Sequence, residues 1–184
     1  EGAGIEFGSR AQAGAIERVV MNNDDIDIDV IGDTKATSIC GSGLIDAVAV
    51  MLTLGIFDST GRFAEPDELA ALTISKKIKN RVIDYNNGQP AFILAGEGKE
   101  IVVLTQKDIR QLQLAKAAIQ AGILLLLKNA GYEISQIQQI LLAGAFGNYI
   151  SKENAVRIGL LPNIAMEKIH FVGNAAGSGA QMAL

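Results

Sequence analysis

The sequence has little of what metal centres, disulfides and histidine-based catalysis require. It contains one cysteine, Cys40, and one histidine, His170, in 184 residues. A single cysteine excludes an internal disulfide, a cysteine-rich zinc site, and an iron–sulfur cluster held wholly by this chain. A single histidine leaves little material for a Ser-His-Asp triad. Any redox centre is therefore expected elsewhere, and a reduced cytoplasmic setting is the simplest interpretation.

The chain also lacks an excess of positive charge and a long hydrophobic run. Sixteen basic and 20 acidic residues give a net charge of −4, which favours neither nucleic acid nor an anionic membrane as a partner. The apolar run at 117–127 is interrupted by Gln120 and is shorter than the ~20 residues of a membrane span, so it predicts a buried core helix. The first residues contain no initiator Met and no signal segment, and we therefore expect a piece of a longer protein.

Glycine, in contrast, is plentiful, and the glycines mark the ends of apolar runs. The 20 glycines, against 3 prolines, indicate turns between strands and helices. The predicted elements, in order, are a hairpin at 15–21 and 26–31, a helix at 44–54, strands at 91–95 and 101–104, a long helix from 105 to about 130, a strand at 139–143, a helix at 151–158, a strand at 169–172 and a last helix. Residues 57–104 are predicted to be a polar, irregular insertion. The alternation of strands and helices predicts an α/β fold with helices covering a sheet.

Two charged patterns have both a simple and a functional interpretation. Asp25, Asp27 and Asp29 alternate with apolar residues, which favours a solvated strand face over a calcium loop, because an EF-hand needs a central Gly and a final Glu. The basic run at 76–81 is either a solvated face or a docking patch for an acidic partner, and the solvated face is favoured.

The strongest candidate binding signal follows the apolar strand at 139–143. Gly144, Ala145, Phe146, Gly147 and Asn148 come directly after it. A glycine turn at this point lets a flat ligand ring approach the backbone, at the edge where open α/β sheets bind ligands. A simple packing turn is the alternative interpretation.

Two further glycine groups stand next to predicted helices. Gly41, Ser42 and Gly43 precede the first helix, whose N–H groups and dipole can hold a phosphate or a hydroxyl, although the P-loop spacing is absent. Cys40 beside them is interpreted as a small buried packing residue. In the segment 173–180, small residues at helical spacing favour close packing of the last helix.

Four motifs in this order resemble one known family. They are ICGSGLIDAV at 39–48, DIRQLQLAKAAI at 108–119, LLAGAFGNY at 141–149 and VGNAAG at 172–177. Together they resemble the C-terminal domain of the reductive activators of corrinoid proteins, within the superfamily of acetate and sugar kinases, heat-shock cognate proteins and actin (ASKHA). The resemblance extends from Gly2 to Leu184. It implies an actin-like, ribonuclease H-like lobe with a mixed sheet covered by helices and an insertion at 57–104.

The resemblance also implies an activity, cofactors and partners. Members use ATP to drive one-electron reduction of Co(II) corrinoid to Co(I). The resemblance implies that the adenosine motif corresponds to residues 144–148, that Asn174 lies in the second connecting segment, and that Gly41, Ser42 and Gly43 contribute to the nucleotide site. The phosphate loops, the Mg²⁺ ligands and a [2Fe–2S] domain would lie upstream, so the isolated chain is expected to be inactive and no catalytic residue is assigned. A corrinoid protein and an electron donor are the implied partners, and a homodimer is compatible with the family.

Two other functions remain open at this stage. A small-molecule kinase of the same superfamily would need a catalytic carboxylate near a sugar or acetate pocket, and no candidate Asp stands out. A non-catalytic docking module with the same fold is the third interpretation.

Overall fold

The computed structural model describes residues 4–144 and 149–184. The chain divides into two compact units, Glu1–Ala115 and Lys116–Leu184, which are described separately. The helices and strands of the described residues are β1 (Ala15–Asn22), β2 (Asp25–Val30), β3 (Ser38–Ile39), α1 (Gly41–Leu54), α2 (Pro66–Ala71), α3 (Lys76–Lys79), β4 (Val82–Tyr85), β5 (Gln89–Glu97), β6 (Glu100–Thr105), α4 (Gln106–Ala130), β7 (Ile140–Ala143), α5 (Lys152–Arg157), β8 (Ile169–Gly173) and α6 (Ala175–Ala183). Helix α4 begins in the first unit and ends in the second.

The first sheet is mixed, with strand order β2-β1-β3. β1 and β2 form the predicted antiparallel hairpin, and β3 pairs with β1 in the parallel direction. Along β2, Ile26 is buried while Asp27 and Asp29 are exposed. The exposed Asp27 and Asp29 confirm the solvated strand face that the period-two pattern predicted, whereas Asp25 at the start of β2 is half-buried.

Helix α1 packs against β1 and forms the core of the first unit with it. Apolar side chains at helical spacing in α1, among them Ile45, Val48 and Met51, are buried, as are Ile16 and Val19 of β1. Gly55 ends the helix in the left-handed conformation (φ 74°), where its N–H donates to the carbonyls of the last turn. The helix begins at Gly41 and not at residue 44 as predicted.

Residues 57–104 are more regular than the sequence indicated. They contain helices α2 and α3 and most of an antiparallel sheet of order β4-β5-β6. Phe92, Val103 and Leu104 are fully buried, so this segment contributes to the core. The prediction of an irregular insertion missed this because short strands between polar turns carry little periodic signal, although the strands at 91–95 and 101–104 are confirmed.

Helix α4 has a firmly anchored start and an exposed end. Thr105 and Asp108 form a capping box, with Asp108 in place of the usual Glu. The Thr105 N–H donates to Asp108 Oδ2 at 2.8 Å, and the Asp108 N–H donates to Thr105 Oγ1 at 3.2 Å. The second half was predicted to be buried, but Leu125 and Leu126 are 60% and 71% exposed. An apolar pattern indicates that a helix tends to be buried. The described residues of this chain do not cover the second half of α4.

The second unit contains a parallel two-stranded sheet of β7 and β8. Ile169 of β8 is fully buried, whereas Leu141 of the apolar strand β7 is 58% exposed. A short 3-10 turn precedes β7 and is capped by Glu133, which is paired with Gln136. None of the helices formed by the described residues combines the length and the apolar character of a membrane span.

Candidate functional site

The carboxyl ends of β7 and β8 lie side by side. The two strands pair in parallel from Ile140 opposite Ile169 to Ala143 opposite Gly173. Immediately after β7, the Gly144 N–H donates to the Gly173 carbonyl at 2.7 Å. Parallel pairing therefore joins two glycines that stand almost 30 residues apart, at the edge where α/β sheets bind ligands.

Both glycines adopt backbone conformations that other residues rarely accept. Gly144 has φ 99° and Gly173 has φ 65°. Apart from the glycine itself and its two chain neighbours, no heavy atom of the described residues lies within 4 Å of the position that a Cβ would take at either glycine. Among the described residues, the edge therefore leaves room at these two points for a flat group to approach the backbone.

Asn174 caps helix α6 directly after this edge. Its side-chain Oδ1 accepts a hydrogen bond from the Gly177 N–H at 3.0 Å. A Cβ at Gly177 would come within 2.5 Å of the Asn174 amide nitrogen, so glycine at 177 makes room for the cap. The predicted close packing is not seen at Gly179, where no described heavy atom lies within 4 Å of a Cβ position.

Gly41, Ser42 and Gly43 lie in the first unit and form the first turn of α1. Ser42 is buried, and its Oγ lies 3.3 Å from the Sγ of Cys40, which is also buried, as predicted. A Cβ at Gly43 would lie 2.3 Å from the Ile16 carbonyl oxygen. Gly43 is therefore required for close packing of α1 on β1, and the Ser42 hydroxyl is turned into the unit.

The predicted site residues are distributed over both units. Gly144 and Asn174 are neighbours through Gly173 in the second unit, and the three residues of the α1 turn belong to the first. Ala145, Phe146, Gly147 and Asn148 lie outside the described residues. Gly173 itself was not among the predicted binding residues. The sequence did contain a signal that could have identified Gly173, because the strands at 140–143 and 169–172 are each followed directly by a glycine.

The basic run at 76–81 has an acidic partner within this chain. Lys77 Nζ lies 3.0 Å from an Asp24 carboxylate oxygen, and Arg81 Nε donates to Asp25 Oδ1 at 2.7 Å. The Arg81 hydrogen bond lowers the pKa of Asp25 below its ordinary value. Arg81 Nη1 also donates to the Ile93 carbonyl at 3.0 Å, so this residue ties the β1–β2 hairpin to β5.

Comparisons with known proteins agree over the whole chain. Residues 1–184 match the family described as the C-terminal domain of RACo, the ASKHA domain. The corrinoid activation enzyme RamQ of Eubacterium limosum is 45% identical over 189 residues, which cover 100% of this chain and 31% of that protein. The Co(II) methylated amine-specific corrinoid protein reductase of Methanosarcina barkeri is 26% identical over 193 residues, which cover 93% of this chain and 31% of that protein.

A solved structure supports the same assignment. The reductive activator for corrinoid, iron-sulfur protein matches with a TM-score of 0.82 and 35% identity, over 100% of this chain and 28% of the matched chain. The chain thus spans about a third of the length of the relatives it matches. The family match over the full length, together with the shared fold, shows that this chain belongs to the family of C-terminal ASKHA domains of the reductive activators of corrinoid proteins.

Proposed function

We propose that this chain is the ATP-binding C-terminal part of a longer reductive activator, which couples ATP hydrolysis to one-electron reduction of Co(II) to Co(I) in a corrinoid protein. Family membership and the names of the relatives, a corrinoid activation enzyme, a Co(II) corrinoid protein reductase and a reductive activator, support this proposal. They favour it over the kinase and docking-module interpretations. The corrinoid protein is the partner, and an electron donor supplies the electron.

The cofactors divide between this chain and the rest of the protein. We place the adenosine part of ATP on this chain, and the Mg²⁺ ligands, the phosphate loops and a [2Fe–2S] cluster upstream. One cysteine cannot supply the ligands of such a cluster, which is consistent with this division. A cytoplasmic location and a homodimer belong to the same proposal.

The observation that carries the nucleotide assignment is the Gly144–Gly173 hydrogen bond. It joins the ends of two parallel strands and leaves both Cβ positions open. A flat adenine ring fits such an edge, since among the described residues no side chain other than those of the chain neighbours lies at these two points. Asn174, the residue after Gly173 and the N-cap of α6, places a side-chain amide next to this edge.

Bound ATP supplies the free energy for an otherwise unfavourable reduction. For a one-electron step, a donor whose reduction potential lies ~59 mV above that of the acceptor already lowers the equilibrium constant for the transfer by a factor of ten. A nucleotide can drive the reaction only if one nucleotide state favours a conformation or a bound partner over the alternatives. The residues of this chain are therefore assigned to binding and orientation and not to the electron transfer itself.

Substitution of Gly144 tests the assignment in the full-length protein. Gly144→Val adds a branched side chain at the open edge, whereas Gly88→Val introduces the same residue at a comparable positive φ (84°) and in equally open space in the other unit. Calorimetry with MgADP should show at least a ~10-fold loss of affinity for Gly144→Val, a difference of about 1.4 kcal/mol, and little change for the control. Unchanged affinity in a folded Gly144→Val protein would remove the adenosine site from this edge.

The activity is tested separately by reduction of the corrinoid. The intact protein, reduced electron donor and Co(II) corrinoid protein should produce Co(I), visible in the absorption spectrum, only when MgATP is present. Equal Co(I) formation with and without MgATP, in a preparation that retains its cluster, would contradict the coupling.

A further inference from the structure

Strands β4 and β5 are joined by a short loop of Asn86, Asn87 and Gly88. The residues on either side of the loop, Tyr85 and Gln89, lie opposite each other in the sheet. All three loop residues are exposed, and all three have a positive φ, of 40°, 69° and 84° in chain order. Glycine and asparagine accept this left-handed conformation more readily than other residues, so the sequence of the loop suits its backbone.

The second asparagine of the loop is followed by a glycine, and this Asn-Gly pair is the only one in the sequence. Apart from its own atoms and its chain neighbours, no described heavy atom lies within 4 Å of the position that a Cβ of Gly88 would take. Asparagine is a chemically labile residue. With no side chain on the glycine, the Gly88 nitrogen is accessible to the side-chain amide of Asn87, and attack on that amide closes a five-membered ring.

We propose that Asn87 is a site of spontaneous deamidation in the folded protein. The Gly88 nitrogen loses its proton to hydroxide and attacks Cγ of Asn87. The bond between this nitrogen and Cγ forms, the Cγ–Nδ2 bond breaks, and Nδ2 leaves as ammonia. The product is a cyclic imide, a succinimide, between the two residues.

Water then opens the succinimide at one of its two carbonyl carbons. Cleavage of the bond from the Gly88 nitrogen to Cγ gives aspartate at position 87. Cleavage of the original peptide bond gives isoaspartate, in which the main chain passes through the side-chain carbon. No atom is oxidised or reduced, since one water is consumed and one ammonia is released. Both products place a new negative charge in the loop, and the isoaspartate also lengthens it by one carbon.

Two other asparagines of the chain provide matched comparisons. Asn23, between β1 and β2, is exposed with φ 43°, and Asn86 is exposed with φ 40°. Asn23 is followed by Asp24 and Asn86 by Asn87, so in both cases the attacking nitrogen would belong to a residue with a side chain. The three asparagines share exposure and a left-handed backbone. They differ in the residue that follows.

The test follows these three amides in a single incubation of the full-length protein, at neutral and at mildly alkaline pH. Mass spectrometry of proteolytic peptides measures the fraction of each amide that has become a carboxylate. An isoaspartate-specific carboxyl methyltransferase, supplied with a labelled methyl donor, detects isoaspartate in the same peptides. A parallel incubation in urea gives the rates in the unfolded chain.

Two variants separate the contributions of the two residues. Gly88→Ala keeps the amide of Asn87 and places a methyl group beside the attacking nitrogen, in a position without close neighbours. Asn87→Gln keeps an amide but would have to close a larger ring. Both variants change an exposed loop, and folding of each is checked by circular dichroism before the incubation. Should Gly88→Ala fail to fold, its comparison is made in urea, where the same slowing is expected.

We expect Asn87 to lose its amide at least several-fold faster than Asn23 and Asn86, in proportion to the hydroxide concentration. Isoaspartate should appear at position 87, and the rates in the folded and the unfolded protein should be similar. Gly88→Ala should slow the loss several-fold, and Asn87→Gln should abolish methyl acceptance by this peptide.

Three results would overturn the proposal. One is an Asn87 amide that persists in the folded protein but is lost in urea, which would show that the folded loop protects it. Another is equal rates at the three asparagines, and the third is an unchanged rate in Gly88→Ala. None of these measurements involves a nucleotide, so the proposal stands or fails independently of the Gly144 edge.

Discussion

The carboxylate of Asp108 accepts the backbone N–H of Glu6 at 2.8 Å, across 102 residues of sequence. The same side chain accepts the N–H and the hydroxyl of Thr105, both at 2.8 Å, and is fully buried. One carboxylate therefore organises the start of α4 and holds the N-terminal segment of the described chain against it.

Removal of this carboxylate should be costly. Asp108→Ala leaves the buried N–H of Thr105 and the half-buried N–H of Glu6 without their acceptor, and loss of the acceptor of a buried donor costs roughly 1–3 kcal/mol. We expect the free energy of unfolding to fall by about 2–4 kcal/mol in urea titrations. Asp67→Ala, in the exposed first turn of α2, is the control and should change it by less than about 0.5 kcal/mol. Equal effects would show that the Asp108 contacts contribute little.

Two helical glycines should respond in opposite directions to the same substitution. Gly43→Ala places a Cβ 2.3 Å from the Ile16 carbonyl oxygen, and overpacking of this kind costs typically ~1–3 kcal/mol. At Gly122, inside α4, no described heavy atom lies within 4 Å of the Cβ position, so Gly122→Ala should stabilise the protein by up to ~1 kcal/mol through helix propensity. Chemical denaturation measures both. A neutral Gly43→Ala would contradict the packing role.

The Asp25–Arg81 pair should make stability depend on pH in the acid range. The pKa of Asp25 in the folded protein lies below its ordinary value of 3.8, chiefly because of the Arg81 hydrogen bond. The pair's contribution is therefore fully present above that ordinary value and is lost as the pH falls through the lowered pKa. The stability difference between the parent and Asp25→Asn should shrink below pH 3.8.

Removal of Arg81 provides the internal control for this pH dependence. In an Arg81→Met background, Asp25→Asn should produce a smaller difference at neutral pH and a weaker acid dependence, as measured by thermal unfolding across the pH range. An undiminished difference in that background would assign the effect to another partner of Asp25.

The 184-residue chain alone should bind adenine nucleotides weakly and should not hydrolyse ATP at a useful rate. The reason is that the phosphate loops expected for this superfamily are absent from its sequence. Phosphate release by the purified chain, compared with the full-length protein under the same conditions, checks this expectation. Brisk Mg²⁺-dependent turnover by the chain alone would show that catalytic groups lie within it.

Local patterns predicted the elements that depend on local chemistry. The start of α4 was predicted at residue 105 and the end of α1 at residue 54, and the alternating residues of β2 predicted the exposure of Asp27 and Asp29. The α1 start was placed too late, because its first turn contains two glycines, which are poor helix formers. The packing of α1 on β1 overrides that preference at Gly43.

Relationships between distant residues were beyond local patterns. The Gly144–Gly173 bond depends on the parallel pairing of β7 with β8, and the ion pairs of the basic run depend on where the β1–β2 hairpin lies. In both cases the two interacting residues lie far apart in the sequence. The prediction that the end of α4 is buried was wrong. An apolar helix surface indicates a tendency to be covered, but it does not tell which residues would cover it.

Because the boundary between Ala115 and Lys116 falls within α4, the two units cannot be separated genetically or by proteolysis without cutting a helix. In an α-helix each N–H donates to the carbonyl four residues earlier, so a break at this point would sever up to four consecutive hydrogen bonds. The newly created ends would also fray, since neither carries a cap. Gene fragments designed on the two units should therefore overlap through the whole of α4, from Gln106 to Ala130.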